Sequence, residues 1–486
     1  MRIEDKLFIG GEWVAPSGSD TIEVISPATE QSLGRVPEGT TADIDRAVAA
    51  AREAFDHGPW PRTSPAERAE VMAKLSAIIL SRMDDIAHVI SEEMGSPIGW
   101  GTMGQVFSAT MVLDYYTGLA HEFPFEELRA GVMGPALVHR EPMGVVGAIV
   151  PWNVPLFVTM LKLAPAMAAG CTMVLKPAPE TPFDAYDLAA ALQEAGLPKG
   201  VLNIVAAGRE VGEHLVIHPG VDKITFTGST AAGKRIAGLC GEQLRRVTLE
   251  LGGKSASIIL DDANLDEVIP GLLPAATMNN GQACVAQTRI LASRDRYQEV
   301  VDHLVDAVEA LTVGDPLDPA TEIGPLVAQR QRDRVEGYLE VGQQEGAKLA
   351  TGGGRPKGLD RGWYVEPSVF VDVDNTMRIA QEEIFGPVLA VIAYDDPADA
   401  VRIANESNYG LSGSVWSADV NRGIDIARQV RTGTYTVNGF MLEFAAPFGG
   451  CKESGLGREL GPEGLQAFLE YKTICLPAGY APPIGD

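Results

Sequence analysis

The spacing of apolar and polar residues in the N-terminal part of the chain predicts a hairpin followed by helices. Residues 7–14, Leu-Phe-Ile-Gly-Gly-Glu-Trp-Val, surround a Gly-Gly pair that is typical of a β-hairpin turn. A capping box with proline at the first helical position, Ser64-Pro65-Ala66-Glu67, predicts a helix start, and a third helical stretch covers about 83–94. An earlier amphipathic helix is indicated by apolar residues that share one face, namely Ile44, Ala47, Val48, Ala51 and Phe55.

From about residue 145 the pattern changes to short apolar runs that alternate with helix-length stretches. This alternation is typical of parallel sheets with crossover helices. It predicts two α/β domains in tandem, with the chemistry at their interface. The first series of strand-like runs covers 145–150, 172–175, 201–205, 224–227 and 247–251. The second series covers 257–260, 288–292, 369–373 and 389–394.

Length and charge narrow the class of protein. A chain of 486 residues is too long for one simple core, so two or three domains are expected. The formal net charge of −26 repels nucleic acid phosphates and anionic membrane surfaces, and neither is an expected partner. The most membrane-like stretch, 156–175, contains Lys162, Pro165 and Gly170, so we expect a buried helix followed by a strand.

The cysteines and the N-terminus indicate a reducing compartment. Five cysteines at irregular spacings, with no Cys-x-x-Cys pair, predict neither a disulfide framework nor a metal site. His121-Glu122 is not followed by a second histidine at zinc-site spacing. The charged residues 1–6 lack the apolar core of a signal peptide. Reduced thiols and a cytoplasmic location are therefore expected.

Cys284 differs from the other cysteines in its surroundings. It ends the segment Asn279-Asn280-Gly281-Gln282-Ala283-Cys284, among small and polar residues. Most single cysteines are buried small hydrophobes, and Cys171, in an apolar run, fits that interpretation. Glu250 lies 34 positions before Cys284, next to Gly252 and Gly253. The pair is interpreted as a nucleophile and a general base.

A candidate phosphate site lies at 224–234, where a strand, a tight turn and a helix start follow one another. Gly228 permits close approach of the backbone to a ligand, and Ser229 could cap the helix or donate to a phosphate. The segment matches neither Gly-x-Gly-x-x-Gly nor a Walker A loop. A capped βα turn explains it equally well.

Two further side chains follow predicted strands. Lys176 ends a strand at the edge where α/β sheets bind ligands, although a solvated lysine is an equal interpretation. Asn153 lies between Pro151 and Pro155, which suits an amide that stabilises developing negative charge. An Asx-turn is the alternative for Asn153.

Taken together and in order, these segments resemble the aldehyde dehydrogenase superfamily over nearly the whole chain. The resemblance implies two Rossmann-like parallel-sheet domains, one for the cofactor and one for catalysis, and a small β oligomerisation arm. It assigns 1–121 and 142–252 to the cofactor domain, 253–468 to the catalytic domain, and 122–141 with 469–486 to the arm of a homodimer or homotetramer. The matching motifs are Pro151-Trp152-Asn153, Lys176-Pro177, Phe226-Thr227-Gly228-Ser229-Thr230, Leu249-Glu250-Leu251-Gly252-Gly253-Lys254, Gly281-Gln282-Ala283-Cys284, Glu382-Glu383-Ile384-Phe385-Gly386-Pro387, Asn438 and 447–459.

The resemblance implies an aldehyde oxidation through covalent catalysis. Cys284, as a thiolate, attacks the aldehyde carbon. The oxyanion is held by the Asn153 amide and the backbone N–H of Cys284. After hydride transfer, Glu250 activates the water that hydrolyses the thioester. Lys162 positions or relays protons near Glu250, and a purely structural lysine is the alternative.

NAD is the cofactor that the resemblance implies. Glu383 holds the nicotinamide ribose beside Phe385, and Lys176 binds the adenosine ribose. Many NAD-preferring relatives carry a carboxylate three residues after this lysine, where this chain has Pro179, so NADP is also possible. The cofactor site as a whole comprises Trp152, Lys176, Gly228, Ser229, Leu251, Gly252, Glu383 and Phe385.

The substrate pocket implied by the resemblance is mostly apolar. It contains no cluster of arginines for an aldehyde that carries a carboxylate, so a hydrophobic or aromatic aldehyde is favoured. A cationic amino-aldehyde remains an alternative substrate, because Glu443 would supply a negative charge for it. The pocket residues are Phe157, Met160, Val285, Leu442 and Phe444, the last two within 441–444.

Three other functions compete with this interpretation. CoA-acylating relatives commonly lack the general-base glutamate, so Glu250 favours hydrolysis. A cofactor-independent cysteine esterase or hydrolase would leave the Gly-Ser-Thr turn unexplained, and none of the seven histidines is near Cys284 in sequence. A catalytically idle binding protein would not be expected to keep Cys284, Glu250 and Asn153 together.

Overall fold

Two large sheets organise the chain, and the computed structural model describes residues 1–480. Both sheets are mainly parallel, and two three-stranded sheets flank them. The strands are β1 (Arg2–Ile3), β2 (Leu7–Ile9), β3 (Glu12–Val14), β4 (Thr21–Ile25), β5 (Ser32–Pro37), β6 (Glu126–Arg129), β7 (Ala136–Pro142), β8 (Val145–Ile149), β9 (Thr172–Lys176), β10 (Leu202–Ile204), β11 (Lys223–Thr227), β12 (Arg246–Glu250), β13 (Ala256–Ile259), β14 (Arg289–Ser293), β15 (Lys348–Thr351), β16 (Ser368–Val371), β17 (Val388–Tyr394), β18 (Gly413–Trp416), β19 (Thr436–Val437), β20 (Gly455–Leu456) and β21 (Leu469–Cys475).

Helices connect the parallel strands, and a π-helix covers Gly101–Phe107. The α-helices are α1 (Thr41–Asp56), α2 (Pro65–Ser81), α3 (Met83–Met94), α4 (Ile98–Trp100), α5 (Ser108–Glu122), α6 (Pro155–Ala169), α7 (Phe183–Ala195), α8 (Arg209–Ile217), α9 (Thr230–Glu242), α10 (Leu265–Thr277), α11 (Tyr297–Glu309), α12 (Gln329–Gln344), α13 (Arg378–Gln381), α14 (Pro397–Asn405), α15 (Val420–Ala427) and α16 (Gly461–Gln466).

The first large sheet has the strand order β20-β12-β11-β8-β9-β10-β2-β3. The five strands from β12 to β10 in this order are parallel, and Ile149 at the end of β8 pairs with Lys176 at the end of β9. On the other side, Thr227 at the end of β11 pairs with Glu250 at the end of β12. The carboxyl ends of four strands therefore meet at one edge of the sheet, where the predicted site residues follow them.

The second sheet has the order β15-β16-β17-β14-β13-β18-β19 and is parallel except for β15. Its strands cover the second predicted series of apolar runs to within two residues at each end. The expected α/β fold with two parallel-sheet domains is confirmed. The predicted Gly-Gly hairpin is also present, as β2 and β3.

A segment from the C-terminal part of the chain joins the sheet and the core of the N-terminal part. Strand β20 returns from the C-terminal part and pairs with β12, where Gly455 lies opposite Glu250. Phe448, Leu460 and Leu465 are buried in the core that also contains α6. This late segment therefore packs against the end of β12, where Glu250 lies.

The buried stretch after β8 is a helix followed by a strand, as the sequence predicts. Helix α6 begins at Pro155 and ends at Ala169, with Gly170 as its C-cap at φ 89°, and β9 follows. Proline is favoured at the first helical position because its missing N–H is not needed there. Within residues 1–480, the structure contains no helix long and apolar enough to cross a membrane.

A small antiparallel sheet of order β21-β7-β6 lies at the predicted arm. Strands β7 and β21 pair along seven residues each, from Leu469 opposite Pro142 to Cys475 opposite Ala136. Apart from Pro142 at the end of β7, both strands lie in the segments that the resemblance assigns to the arm, 122–141 and the chain from 469. The last part of the predicted arm, 481–486, lies outside the described residues.

Candidate active site

A cavity of about 680 Å³ opens at the carboxyl edge of the first sheet, between it and residues of the second. Most of the residues predicted for the site line this one cavity. They are Trp152, Asn153, Phe157, Gly228, Ser229, Glu250, Leu251, Gly252, Cys284, Val285, Glu383, Phe385, Leu442 and Phe444.

The loop that carries Cys284 has an unusual backbone. After α10, Asn279 has φ 54°, Asn280 has φ 62° and Gly281 has φ 73°. Asparagine and glycine are the residues that enter this left-handed region at low cost. A Cβ on Gly281 would lie 2.2 Å from the carbonyl carbon of Gly386, so glycine is required for this close approach. The sequence of the loop thus determines where Cys284 lies.

Buried amide side chains hold this loop in place. The Asn280 amide nitrogen donates to the carbonyls of Gly95 at 2.8 Å and Pro325 at 2.9 Å. Its side-chain oxygen accepts a 2.6 Å hydrogen bond from the Gly324 N–H. Sequence reasoning assigned no role to Asn280, because two of its three partners lie 45 or more positions away in the chain.

Asn153 is joined directly to the cysteine loop. Its amide nitrogen donates a 2.8 Å hydrogen bond to the carbonyl of Gln282. Its backbone carbonyl accepts hydrogen bonds from the side chains of Asn279 at 2.8 Å and Gln105 at 3.1 Å. A primary amide carries two N–H groups, so one N–H of Asn153 is left over for an oxygen atom in the cavity.

Glu250 ends β12 with a buried side chain that is 3% exposed. Within residues 1–480, neither of its carboxyl oxygens has a hydrogen-bond partner. Burial, followed by the neighbouring charge of Glu459, raises the pKa of Glu250 well above its usual range. A carboxyl group with a raised pKa is suited to accept and release protons near neutral pH.

Lys162 lies next to this carboxyl group, but its direct partner is another residue. The Lys162 ammonium donates 2.6 Å hydrogen bonds to Glu459 Oε1 and to Thr227 Oγ1. Thr227 pairs with Glu250 in the sheet, and the charge of Lys162 acts to lower the pKa of Glu250. Glu459, which sequence reasoning did not single out, also lines the cavity.

The surroundings of Cys284 favour its protonated thiol form. Burial raises the pKa of Cys284 to about 12, and the charges of Glu383 and Glu250 act in the same direction. The thiolate is the reactive form of cysteine. Reaction at Cys284 therefore requires a base or an added positive charge in the cavity.

At the N-terminal end of α9, the same cavity offers an anion site. Strand β11 ends at Thr227, and Ser229 caps α9, with its Oγ accepting a 3.3 Å hydrogen bond from the Ala232 N–H. The first N–H groups of a helix are free and carry a partial positive charge. Gly228 and Ser229 both line the cavity, so this helix start fits a phosphate group.

Glu383 completes a cradle in the same cavity. Its Oε1 accepts a 2.9 Å hydrogen bond from the Gly253 N–H, and burial raises the pKa of Glu383 to about 6. A Cβ on Gly252 would lie 2.6 Å from Glu383 Oε2, so glycine makes room for the carboxyl group. Phe385 has φ 64° and packs edge-on against Trp152 at 5.4 Å. Carboxyl oxygen, helix start and aromatic pair together fit a dinucleotide.

Lys176 does not line the cavity. Its ammonium donates to the backbone carbonyls of Pro177 at 3.0 Å and Ala207 at 2.9 Å, and burial lowers its pKa to about 8. Glu180, the carboxylate that follows Pro179, forms an ion pair with Arg330. The negative charge nearest to Pro179 in sequence is therefore already balanced.

Met160 lies in the hydrophobic core, fully buried, instead of facing the pocket. The cause is the helical period of 100° per residue. Phe157, Val158 and Leu161 of α6 face the cavity within one sector of the helix, and Met160 projects outside that sector. The prediction of Met160 as a pocket residue does not agree with this placement.

A surface cluster outside the cavity resembles a metal site in composition only. Ligand-type atoms of Asp45, His214 and His218 lie within 4.8 Å of one another. The Gly220 N–H donates to His218 Nδ1 at 3.0 Å. In a neutral imidazole this leaves Nε2 protonated, so the nitrogen that faces Asp45 offers no lone pair to a metal.

The arrangement defines a class of site. A cysteine, an amide donor and a buried carboxyl group line one mainly apolar cavity, and the residues that fit a phosphate line the same cavity. This is the layout of an oxidoreductase that combines a cysteine nucleophile with a dinucleotide. The aldehyde dehydrogenase family model matches residues 13–474, and the chain belongs to this family. The expected class, an NAD(P)-dependent aldehyde dehydrogenase, is confirmed.

Known proteins are similar over almost the full chain. A geranial dehydrogenase of Castellaniella defragrans is 49% identical over 97% of this chain and 98% of its own. An aldehyde dehydrogenase of Mycobacterium tuberculosis, solved with NAD+, is 52% identical, with a TM-score of 0.97 and 99% of both chains covered. Aldehyde dehydrogenase C of Pseudomonas syringae, solved as a mutant with NAD+ and octanal, is 41% identical, with a TM-score of 0.95 and 98% and 97% coverage.

Proposed function

We propose that the protein oxidises hydrophobic aldehydes to carboxylic acids through a thioester on Cys284. The observation that carries the proposal is that Cys284, Asn153 and Glu250 line the same cavity as the residues that fit a dinucleotide. NAD, when bound there, accepts the hydride. The NAD+ complexes of similar enzymes support this cofactor.

The first half of the reaction depends on Cys284 and Asn153. The Cys284 thiol gives its proton to water in the cavity, and its sulfur attacks the aldehyde carbon. The second N–H of the Asn153 amide donates to the resulting oxyanion, whose C=O bond re-forms as hydride leaves to give the thioester. The backbone N–H of Cys284 is the other donor. Loss of one such donor typically costs about 3–4 kcal/mol in the barrier. Because Asn153 is held by Gln282, just two residues before Cys284, donor and nucleophile keep a fixed relation.

The second half of the reaction depends on Glu250. Its carboxylate takes a proton from water, and the hydroxide attacks the thioester to release the acid. The unpartnered oxygens of Glu250, among the described residues, support a role in which they bind water. Lys162 and Glu459 adjust the pKa of Glu250 with opposite effects. We assign these two as positioning residues for the proton transfer.

The substrate class follows from the wall of the cavity. Phe157 and Phe444 face each other with ring centroids 6.4 Å apart. Glu443 is exposed and its Oε1 accepts a hydrogen bond from the Ala445 N–H at 3.1 Å, which disfavours a cationic amino-aldehyde. The geranial and octanal of two similar proteins are also apolar. The remaining apolar lining includes Trp100, Met103, Val154, Val158, Leu161, Phe440 and Met441.

Assembly and location belong to the same proposal. We assign 1–121 and 142–252 to the cofactor domain, 253–468 to the catalytic domain, and 122–141 with the chain from 469 to the arm. Exposed apolar residues on the arm, such as Leu128, Tyr471 and Ile474, support a homodimer or homotetramer formed through it. The five free cysteines support a cytoplasmic location.

A direct spectrophotometric assay tests the proposal. The purified protein is mixed with NAD and hexanal, octanal, geranial, benzaldehyde or betaine aldehyde, and the near-UV absorbance of reduced nicotinamide is followed with and without CoA. We expect turnover with the apolar aldehydes, no requirement for CoA, and no turnover for Cys284→Ala. Cleavage of esters without cofactor and no aldehyde oxidation would overturn the proposal.

A further inference from the structure

A second cavity, of about 670 Å³, adjoins the active-site cavity. Three side chains line both: Trp100, Met278 and Phe440. These residues form a partition, with the reacting groups on one side and the second cavity on the other. The space available to a substrate therefore depends on whether the partition stays closed.

Trp100 is the largest member of the partition, and its position is fixed by the helix that follows it. It ends α4, immediately before the π-helix Gly101–Phe107. A Cβ on Gly104 would lie 2.6 Å from the indole atoms Cδ2 and Cε2. The indole therefore packs directly on the backbone at Gly104, a contact that only glycine allows. π-Helical turns occur frequently at functional sites.

The other face of the partition lies close to the reactive cysteine. Trp100, Val285 and Phe440 pack against a small buried cluster of Ala275, Met278, Ala283 and Ala286. Ala283 directly precedes Cys284 in the chain. Among residues 1–480, the Trp100 indole N–H has no hydrogen-bond partner, so packing alone holds the ring. A smaller apolar residue at this position would leave no polar partner unsatisfied.

Part of the lining of the second cavity is suited to hydrocarbon. Val268 and Trp416 lie among its apolar lining residues, while Asn264, Glu267 and Ser417 supply its polar part. Each methylene transferred from water into apolar surroundings strengthens binding by a factor of roughly four. A substrate chain that reached this space would gain accordingly, provided that the indole did not block it.

We infer that Trp100 sets the upper limit of chain length and bulk for the aldehydes that this enzyme accepts, because its indole closes the active-site cavity against the second cavity. The inference rests on the proposed aldehyde oxidation. Trp100 does not take part in the chemistry, and its role is to determine specificity. Met278 and Phe440 complete the partition but offer less bulk than the indole.

Rates for a series of aldehydes test this role. The wild-type protein, Trp100→Phe and Trp100→Leu are assayed with NAD and straight-chain aldehydes from hexanal to hexadecanal, each below its solubility limit. We expect the optimum of kcat/KM to move to longer chains in the order Trp, Phe, Leu. For chains beyond the wild-type optimum, Trp100→Leu should gain about tenfold relative to hexanal, the effect of one to two buried methylenes.

Trp363→Leu is the matched control, because Trp363 is also partly buried and lines neither cavity. Its chain-length profile should match that of the wild type. Identical optima for all three residues at position 100 would overturn the inference, and so would a uniform loss of rate at every length. If the wild type oxidised no aldehyde, the proposed function itself would be wrong. Calorimetric NAD binding and thermal melting confirm that each variant is folded.

Discussion

Lys162 and Glu459, which are 297 positions apart in the chain, form a buried ion pair 2.6 Å long beside the carboxyl group of Glu250. The pair brings a cation from α6 and an anion from the segment before α16 to the end of β12. The two charges shift the pKa of Glu250 in opposite directions. Removing either one would therefore change the protonation of Glu250. The pair thus links a tertiary contact to the proposed hydrolysis step.

Glu459→Gln should shift the pH dependence of turnover. The Glu459 charge raises the pKa of Glu250, and Lys162 lowers it. Removing the anion leaves the ammonium unopposed, so the pKa of Glu250 should fall. A base acts when deprotonated, and the rise of kcat with pH should therefore begin at lower pH. The measurement is kcat between about pH 5 and pH 9. Glu463→Gln, at an exposed position nearby, is the control and should leave the pH profile unchanged. If Glu459→Gln also left the pH profile unchanged, the coupling between Glu459 and Glu250 would be refuted.

Asn153→Ala should slow the chemistry much more than it destabilises the fold. Loss of one oxyanion donor typically lowers kcat by about 10²–10³-fold. Asn203→Ala is the control, because Asn203 is equally buried and donates to Met173 and Gly200 at 3.2 and 2.9 Å, away from the cavity. It should lose stability and keep its kcat. Equal losses of kcat in both variants would assign Asn153 to structure alone.

Asp184→Asn should change how stability depends on pH. Burial, followed by the charge of Asp187, raises the pKa of Asp184 to about 8, whereas an unfolded aspartate titrates near ~3.9. The folded protein therefore holds the extra proton between these values, and stability falls as pH rises through this window. Asparagine cannot ionise, so the variant should lose less stability between about pH 5 and pH 9, by on the order of 4 kcal/mol.

Urea denaturation at the two pH values measures this difference. Asp266 provides the matched control, because it also lies in the first turn of a helix, α10, and is exposed. Asp266→Asn should follow the wild type. The prediction is wrong if Asp184→Asn and the wild type lose equal stability between the two pH values.

Turnover with NADP should be measurable. The position three residues after Lys176 is Pro179, which cannot repel a 2′-phosphate, and the nearby Glu180 is paired with Arg330. We expect NADP to support oxidation of octanal, with NAD preferred. Substituting Pro179→Glu should place a carboxylate near the phosphate and lower kcat/KM for NADP more than for NAD. No turnover with NADP under conditions of rapid turnover with NAD would contradict this expectation.

Local pattern predicted the parts of the site that lie at strand ends. Asn153 and Ser229 follow β8 and β11, and Glu250 ends β12. Parallel strands bring their carboxyl ends together. The apolar runs located these strands because a buried parallel strand has a continuous apolar sequence. Cys284 was found because glycine and amides surround it.

The remaining features of the site depend on long-range contacts, which a local sequence pattern does not predict. The partner of Lys162 comes from the far end of the chain, and the amide contacts of Asn280 join three separate segments. The prediction places Met160 in the pocket because the resemblance does not define how α6 is rotated about its axis. In the structure, the helical period directs Met160 into the core. The partition at Trp100 requires knowledge of two cavities.

The most direct test of the central claim is the intact mass of Glu250→Gln after mixing with NAD and octanal. Without the base, the thioester should form but not hydrolyse. We expect one octanoyl adduct per chain, mapped to Cys284 by peptide mass analysis, with one equivalent of reduced nicotinamide released. Cys284→Ala in the same background should remain unmodified. Full turnover by Glu250→Gln without an adduct, or an adduct on another residue, would contradict the account.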